Sequence, residues 1–302
     1  MSEFCGFISI VGRPNVGKST LLNKILKQKV SITSHRPQTT RNQIYGIKTI
    51  DNKQMIYIDT PGIHNVDKAG EKKLNHYMNQ AATTTLKGVD AIVFLIDAQK
   101  FTQEDEVVFS MIKRSKLPVI LAINKIDKIP RKEQLLPLIE RLSGEFAFAK
   151  IIPICAMNGL QVDVLEEEIT HFCLPGPHHF PQDAISNRSD SFRIAELVRE
   201  KIMRTLEQEV PYAASVQIES IESLEKVVEI HALIWVEKLG QKTILIGHKG
   251  ETLKIIGTQA RLDMEKLLGK KVMLKLWVKV KKGWSNSKVA LSDFGLADHL
   301  SA

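Results

Sequence analysis

The segment Gly12-Arg13-Pro14-Asn15-Val16-Gly17-Lys18-Ser19, followed by Thr20, has the spacing of a loop that wraps phosphate. Its glycines let backbone N–H groups curl around phosphate oxygens. A helix beginning near Gly17 adds the positive end of its dipole. Lys18 is the expected cation for the β- and γ-phosphates, and the Ser19 hydroxyl the expected Mg2+ ligand. Asp59-Thr60-Pro61-Gly62 follows an apolar strand. The D-x-x-G spacing says little alone, but at a strand end Asp59 is placed to hold Mg2+ through water and the Gly62 amide to touch the γ-phosphate. Thr39-Thr40-Arg41 lies in the loop after the first helix. A threonine there completes the Mg2+ shell only while the γ-phosphate is present, so losing that phosphate releases the loop. Thr40 is favoured over Thr39. Lys18, Thr40 and Gly62 are therefore the candidates for acting on the reacting phosphate.

Asn124-Lys125-Ile126-Asp127 stands at the end of another apolar run. An Asp127 carboxylate can accept two hydrogen bonds from the N1–H and amino group of guanine. If buried and unpaired it would reject adenine, whose donor pattern differs. Asn124 can brace the base edge and the phosphate loop, and the Lys125 stem can lie against the base. Cys155-Ala156 follows a further strand, which places the Ala156 amide near the guanine O6. The expected ligands are thus GTP or GDP with Mg2+.

These loops need a scaffold that brings strand ends together. Over roughly the first 170 residues, apolar strands (Phe4–Val11, 54–58, 89–96, 117–123, 151–154) alternate with helical periodicity (near 17–28, 103–115, 133–146 and 162–172). That alternation predicts a mostly parallel, doubly wound α/β sheet with helices on both faces. Its ligands bind at the C-terminal strand ends. Pro175-Gly176-Pro177 and the polar stretch up to Asp190 break the pattern. The expected organisation is a nucleotide domain over 1–173, a linker over 174–190 and a second domain over 191–302.

Composition is consistent with two globular domains: 302 residues, 43% hydrophobic and 25% charged. The net charge of +8 is unevenly placed. From Lys238 to Lys288 there are 13 Lys/Arg and 3 Asp/Glu, so the basic signal belongs to the second domain. It points to an anionic partner. Three widely spaced cysteines suggest neither a disulfide framework nor a metal cluster, which fits a reducing cytoplasm. The N-terminus does not read as a signal peptide, and no apolar run is long enough to span a membrane.

In the second half, the helix expected over 192–208 precedes strands over 215–221 and 227–236. Gly247-His248-Lys249-Gly250 then forms a tight turn before a helix over 252–268 and a strand over 271–280. The turn resembles the G-x-x-G segment of KH domains, which clamp single-stranded RNA backbone. The element order matches an α+β type II KH domain. Gly247, His248, Lys249, Gly250 and Lys254 are the candidate RNA contacts, and the lysines from 270 to 282 the candidates for neutralising phosphate. Val272, Leu274, Leu276 and Val278 read as core. Core or edge packing is favoured over base stacking for Trp235, Trp277 and Trp284.

The G-R-P-N-V-G-K-S loop, the T-T-R segment and D-T-P-G together resemble the TrmE–Era–EngA group of Ras-like P-loop GTPases. A Ras-like domain followed by a KH domain is the arrangement of its Era branch, and the resemblance covers nearly the whole chain. It implies slow, Mg2+-dependent hydrolysis of GTP. It also implies binding to the 3′ end of small-subunit ribosomal RNA, and a role in assembling the 30S subunit in the cytoplasm. A competing implication is a membrane-associated signalling GTPase, whose lysines meet the anionic inner face of the membrane. Ile63 stands where Ras-like enzymes carry a water-orienting glutamine, so catalysis must rest on Mg2+, Lys18 and backbone donors. Asn15 matches the position at which relatives hold K+.

Overall fold

The computed structural model describes residues 2–36, 38–62, 74, 78 and 88–293. Two compact units appear among them. One takes the described residues up to Ser31, those of 40–62 and those of 78–187; the other takes those of 32–39, Leu74 and the chain from Arg188 onward.

The first unit is built on a sheet ordered β2-β3-β1-β4-β5-β6. Its strands are β1 (Phe4–Val11), β2 (Ile44–Ile50), β3 (Lys53–Asp59), β4 (Ala91–Asp97), β5 (Val119–Asn124) and β6 (Lys150–Pro153). β1 runs parallel to β3 and β4, β4 to β5, and β5 to β6. β2 pairs antiparallel with β3 through a tight turn, where Asp51 takes the left-handed conformation at φ 53°. The central strands are apolar because both faces are covered. On one face Ile8, Ile10, Val93 and Ile120 pack with Leu21, Leu22 and Ile25 of α1 (Lys18–Leu26) and Leu165 and Ile169 of α4 (Val162–Thr170). On the other, Phe94, Ile96 and Leu121 pack with Val108 and Phe109 of α2 (Gln103–Arg114) and Leu142 of α3 (Leu136–Glu145). Each fully buried aliphatic or aromatic side chain stabilises the sheet by about 1.5–3 kcal/mol. The helix expected over 133–146 is instead a short 3-10 turn, Lys132–Leu135, followed by α3 with Pro137 in its first turn. Proline is accommodated there because the first helical N–H groups have no intrahelical acceptor.

The segment expected as a linker is laid along this sheet. β7 (Leu174–Pro175) pairs antiparallel with Phe4 and Cys5 of β1. The Gln54 carboxamide accepts from the His179 and Phe180 amides at 2.9 Å each and donates to the Phe180 carbonyl at 2.8 Å. The Ile47 amide donates to the Ile185 carbonyl at 2.8 Å. These bonds use backbone groups that would otherwise need water, so the proline-rich segment is anchored by the unit before it.

The second unit has a three-stranded sheet ordered β10-β9-β8. Its strands are β8 (Ser215–Ser223), β9 (Val227–Val236) and β10 (Lys271–Val280). β9 is antiparallel to β8 and parallel to β10. One sheet face buries Ile230, Ala232, Ile234, Val272 and Val278. They lie against Ile194, Val198 and Ile202 of α5 (Asp190–Thr205), Leu245 of α6 (Leu239–Ile246) and Ile256, Ala260 and Met264 of α7 (Glu251–Leu268). Leu274 and Leu276 are only partly buried. Trp284 is fully buried and donates to the Ala213 carbonyl at 3.0 Å, while Trp277 is 42% exposed, against the expectation of packing. The difference is one of faces: Trp277 is on the side of the sheet away from these helices. A last short helix, α8 (Lys288–Asp293), follows. Ile32–Thr39 is held by α5. The buried Glu200 carboxylate accepts from the Thr33 amide at 3.1 Å, and Arg199 donates to the Thr39 carbonyl. The chain runs from that strap directly into Thr40.

Candidate nucleotide site and groove

The phosphate loop joins β1 to α1, at the C-terminal edge of the sheet. Gly17 is left-handed at φ 108°, and a Cβ there would sit 2.4 Å from Asn124 Nδ2, so no other residue fits this approach. Lys18 is buried and folds back, donating to the Gly12 and Arg13 carbonyls at 2.9 and 3.0 Å. Burial lowers its pKa to about 8, partly offset by the nearby Asp59 carboxylate. Arg13 is fixed outside the loop by Asp105 of α2 at 2.9 Å and by Asp97 at the end of β4 at 3.7 Å. Asp105 also accepts from the Thr102 amide and hydroxyl, so one carboxylate starts α2 and steadies the loop. Asn15 is exposed with φ 64°.

Ser19, Thr40 and Asp59 come together. Ser19 Oγ donates to Asp59 Oδ2 at 2.6 Å and lies 2.9 Å from Thr40 Oγ1. Ser31 donates to the same carboxylate oxygen at 2.8 Å. The Thr39 hydroxyl turns away and donates to the Arg36 carbonyl. Burial raises the Asp59 pKa, opposed chiefly by the Ser19 hydrogen bond and by Lys18. Asp59 Oδ1 is buried without a hydrogen-bond partner among the described residues. Two hydroxyls and a carboxylate, one of whose oxygens is unpartnered, are hard donors of the kind that suits Mg2+. Thr60 donates to the Ile10 carbonyl at 3.1 Å, Pro61 is buried, and Gly62 approaches Pro14 so closely that a Cβ would meet it at 2.8 Å. The D-x-x-G turn is therefore seated on the phosphate loop. Ile63 lies outside the described residues.

Asn124 joins the base motif to both neighbouring loops. Its Nδ2 donates to the Val16 carbonyl at 2.7 Å, and its Oδ1 accepts from the Ala156 amide at 2.9 Å. The Ala156 amide, expected at the guanine O6, is thus committed to holding Asn124, because a buried carboxamide oxygen needs a donor. Cys155 is buried and its amide donates to the Leu160 carbonyl. Lys125, left-handed at φ 66°, bonds the Asn15 carbonyl at 2.9 Å and Asp97 at 2.7 Å. Asp127 is exposed rather than buried, on the short 3-10 turn Ile126–Lys128. A base read by Asp127 would itself have to cover the carboxylate. Thr20 lies in the first turn of α1. The partners Asp97, Asp105 and Ser31 went unpredicted. Only Asp97, a carboxylate closing an apolar strand, carried a sequence signal.

In the second unit, Gly247 has φ 74° and a Cβ there would lie 2.2 Å from the Thr252 hydroxyl, while Gly250 has φ 83°. His248 and Lys249 are exposed at the turn. Beside it runs a groove of about 380 Å3 lined by Gly250, Leu253, Lys254, Gly257, Leu274 and Leu276 among others. An apolar floor with a basic rim can take stacked bases and their phosphates.

Residues 7–125 match the 50S ribosome-binding GTPase family, and residues 209–285 the KH domain family. GTPase Era of Marinobacter nauticus is 51% identical over 294 residues, covering 97% of this chain and 95% of that protein. GTPase Era of Coxiella burnetii is 50% identical over 296 residues, covering 98% and 99%. A crystal structure of Era in complex with MgGDPNP and nucleotides 1506–1542 of 16S ribosomal RNA superposes with TM-score 0.92 at 39% identity, covering 98% of this chain and 99% of that one. A variant of Aquifex aeolicus Era bound to GDP.AlF4- gives the same TM-score and identity over 98% and 100%.

Proposed function

The chain belongs to the Era family of GTPases, and from that membership we propose that it couples GTP hydrolysis to binding of the 3′ end of small-subunit ribosomal RNA during assembly of the 30S subunit. The observation carrying the nucleotide half is the meeting of Ser19, Thr40 and Asp59 beside Lys18. In this reading Gly12, Arg13, Pro14, Asn15, Val16, Gly17 and Thr20 surround the phosphates, and Asn124, Lys125 and Asp127 the base. Mg2+, when bound, neutralises phosphate charge. Ser19 and Thr40 would supply hydroxyl ligands to it, Asp59 would act through water, and the Gly62 amide would face the γ-phosphate. Ile63 has no hydrogen-bonding group to orient a water, so turnover is slow and rests on fixed charge and positioning. Asn15 places its side chain at the phosphate loop, where K+ would add a further positive charge.

The RNA half rests on the Gly247–Gly250 turn and the groove it opens. His248, Lys249 and Lys254 would contact RNA backbone. The strap that leads into Thr40 starts on α5 of the second unit. Ordering Thr40 around a γ-phosphate would pull on that strap, which is how nucleotide state would reach the RNA-binding unit. The reading places the chain in the cytoplasm. No helix among the described residues is long and apolar enough to cross a membrane.

The test is binding of a 16S 3′-end RNA to the full chain in GDP and in GDPNP, with anionic vesicles as a parallel arm. Tighter RNA binding in one nucleotide state supports the reading. State-independent RNA binding removes the coupling, and vesicle binding without RNA binding replaces the reading with the membrane one. Phosphate release in K+ and Na+ buffers tests Asn15, and equal rates remove K+.

A further inference from the structure

Strand β10 has two sides with different chemistry. Val272 and Val278 are buried against the helices, and Leu274 and Leu276 line the groove. The alternate residues Lys271, Met273, Lys275, Trp277 and Lys279 are all exposed on the opposite face. Period-two alternation with one solvated face is ordinary for a strand. A tryptophan and a methionine left 42% and 41% exposed between lysines are not, because large apolar side chains gain most from burial.

The register fills in this face. Lys275 pairs with His231, Trp277 with Leu233 and Lys279 with Trp235 on β9. Leu233 and Trp235 then pair with Gln217 and Ser215 on β8. Lys279 and Lys281 place their ammonium groups 6.0 and 5.8 Å from the Trp235 ring centroid. His231 meets Trp277 edge-on, with ring centroids 5.2 Å apart. Glu229 is partnered by both Lys275 and His231, and Glu222 stands opposite it on β8. Against these two carboxylates stand Lys275, Lys279 and Lys281, with Lys271 at the strand's end, its ammonium 3.8 Å from Glu265 of α7. The face is therefore cationic, with aromatic rings between the cations.

We propose that this face, opposite the one packed on α5, α6 and α7, is a second RNA platform, on which a strand leaving the groove crosses the β10 edge, lays a base on Trp277 and sets its phosphates against Lys271, Lys275 and Lys279. A positively charged surface interleaved with aromatic rings is the chemistry that holds single-stranded nucleic acid. Continuity favours RNA over an anionic lipid: β10 is an edge strand, and its alternate residues already line the groove. The inference rests on the reading of that groove as an RNA site.

The test measures binding of the full chain to two RNAs from the 3′ end of 16S rRNA. One is about six nucleotides, enough to fill a KH turn that clamps four; the other is about thirty. Trp277→Ala should weaken the longer RNA roughly tenfold, within the range of one lost stack, and leave the short one unchanged. Lys271→Gln with Lys279→Gln should lower the salt slope for the longer RNA by about 1.4, from two lost phosphate contacts at about 0.7 each. The urea unfolding midpoint of the second unit reports that each variant is folded. Unchanged affinity and slope for the longer RNA overturn the platform, as does an equal loss for both RNAs. A Trp277→Ala loss seen only with anionic vesicles also overturns it, in favour of lipid. If the unaltered chain fails to bind the short RNA, the groove reading falls by itself. The platform then stands or falls on whether Trp277→Ala weakens the longer RNA.

Discussion

Asn124 donates to the Val16 carbonyl at 2.7 Å, and this buried bond, beside the exposed one from Lys125 to the Asn15 carbonyl, ties the base-reading loop to the phosphate loop. The same carboxamide accepts from the Ala156 amide, so three loops share one side chain. Asn124→Ala leaves a buried carbonyl and a buried amide unpaired, each costing about 1–3 kcal/mol. Labelled-GDP titration should show affinity lowered by tenfold or more. Unchanged affinity would mean the loops hold their places without this residue.

Gly17 cannot carry a side chain. Alanine there combines a positive φ with a Cβ 2.4 Å from Asn124 Nδ2, so it must displace Asn124 or the loop. Gly17→Ala should lower GDP affinity at least a hundredfold while lowering the thermal midpoint only modestly. Equal affinities would show that the loop accommodates a methyl group.

The two glycines of the second unit should respond differently. Gly250→Ala meets open space and carries only the left-handed penalty, about 1–2 kcal/mol. Gly247→Ala adds a clash with Thr252. Urea unfolding should rank Gly247→Ala as the more damaging, and RNA binding should follow the same order. The reverse order would contradict the turn geometry.

Burial pushes the Cys173 thiol up to about 11, from an ordinary value near 9.0. Between those values the folded chain keeps the proton that the unfolded chain releases. Stability contributed by this group therefore falls as pH rises from 9 to 11. By pH 10 wild type should lose about 1 kcal/mol relative to Cys173→Ala, read from urea midpoints at pH 7 and pH 10. Parallel pH profiles would show the thiol is not shielded.

Much of this was legible in the residues. β1, β9 and β10 fall where alternation and apolar runs place them, because burial on one or two faces dictates those patterns. The phosphate and base loops were legible because glycine, lysine and carboxylate spacing there is set by ligand chemistry. The course of 174–187 was not, since its two-residue strand exists only through register with Phe4 and Cys5. Glu200 holding Thr33 joins residues 167 positions apart, which local periodicity cannot report. The exposure of Trp277 depends on which sheet face the helices cover, and its residue type gives no sign of that.

The proposed reading puts base selectivity on Asp127, which is exposed on a short 3-10 turn. Replacing its carboxylate with a carboxamide exchanges an acceptor for a donor. Competition titrations of Asp127→Asn with GDP and xanthosine diphosphate are the most direct measurement. Preference should invert toward xanthosine diphosphate, with adenine nucleotides excluded throughout. Retained GDP preference would show that guanine is read elsewhere.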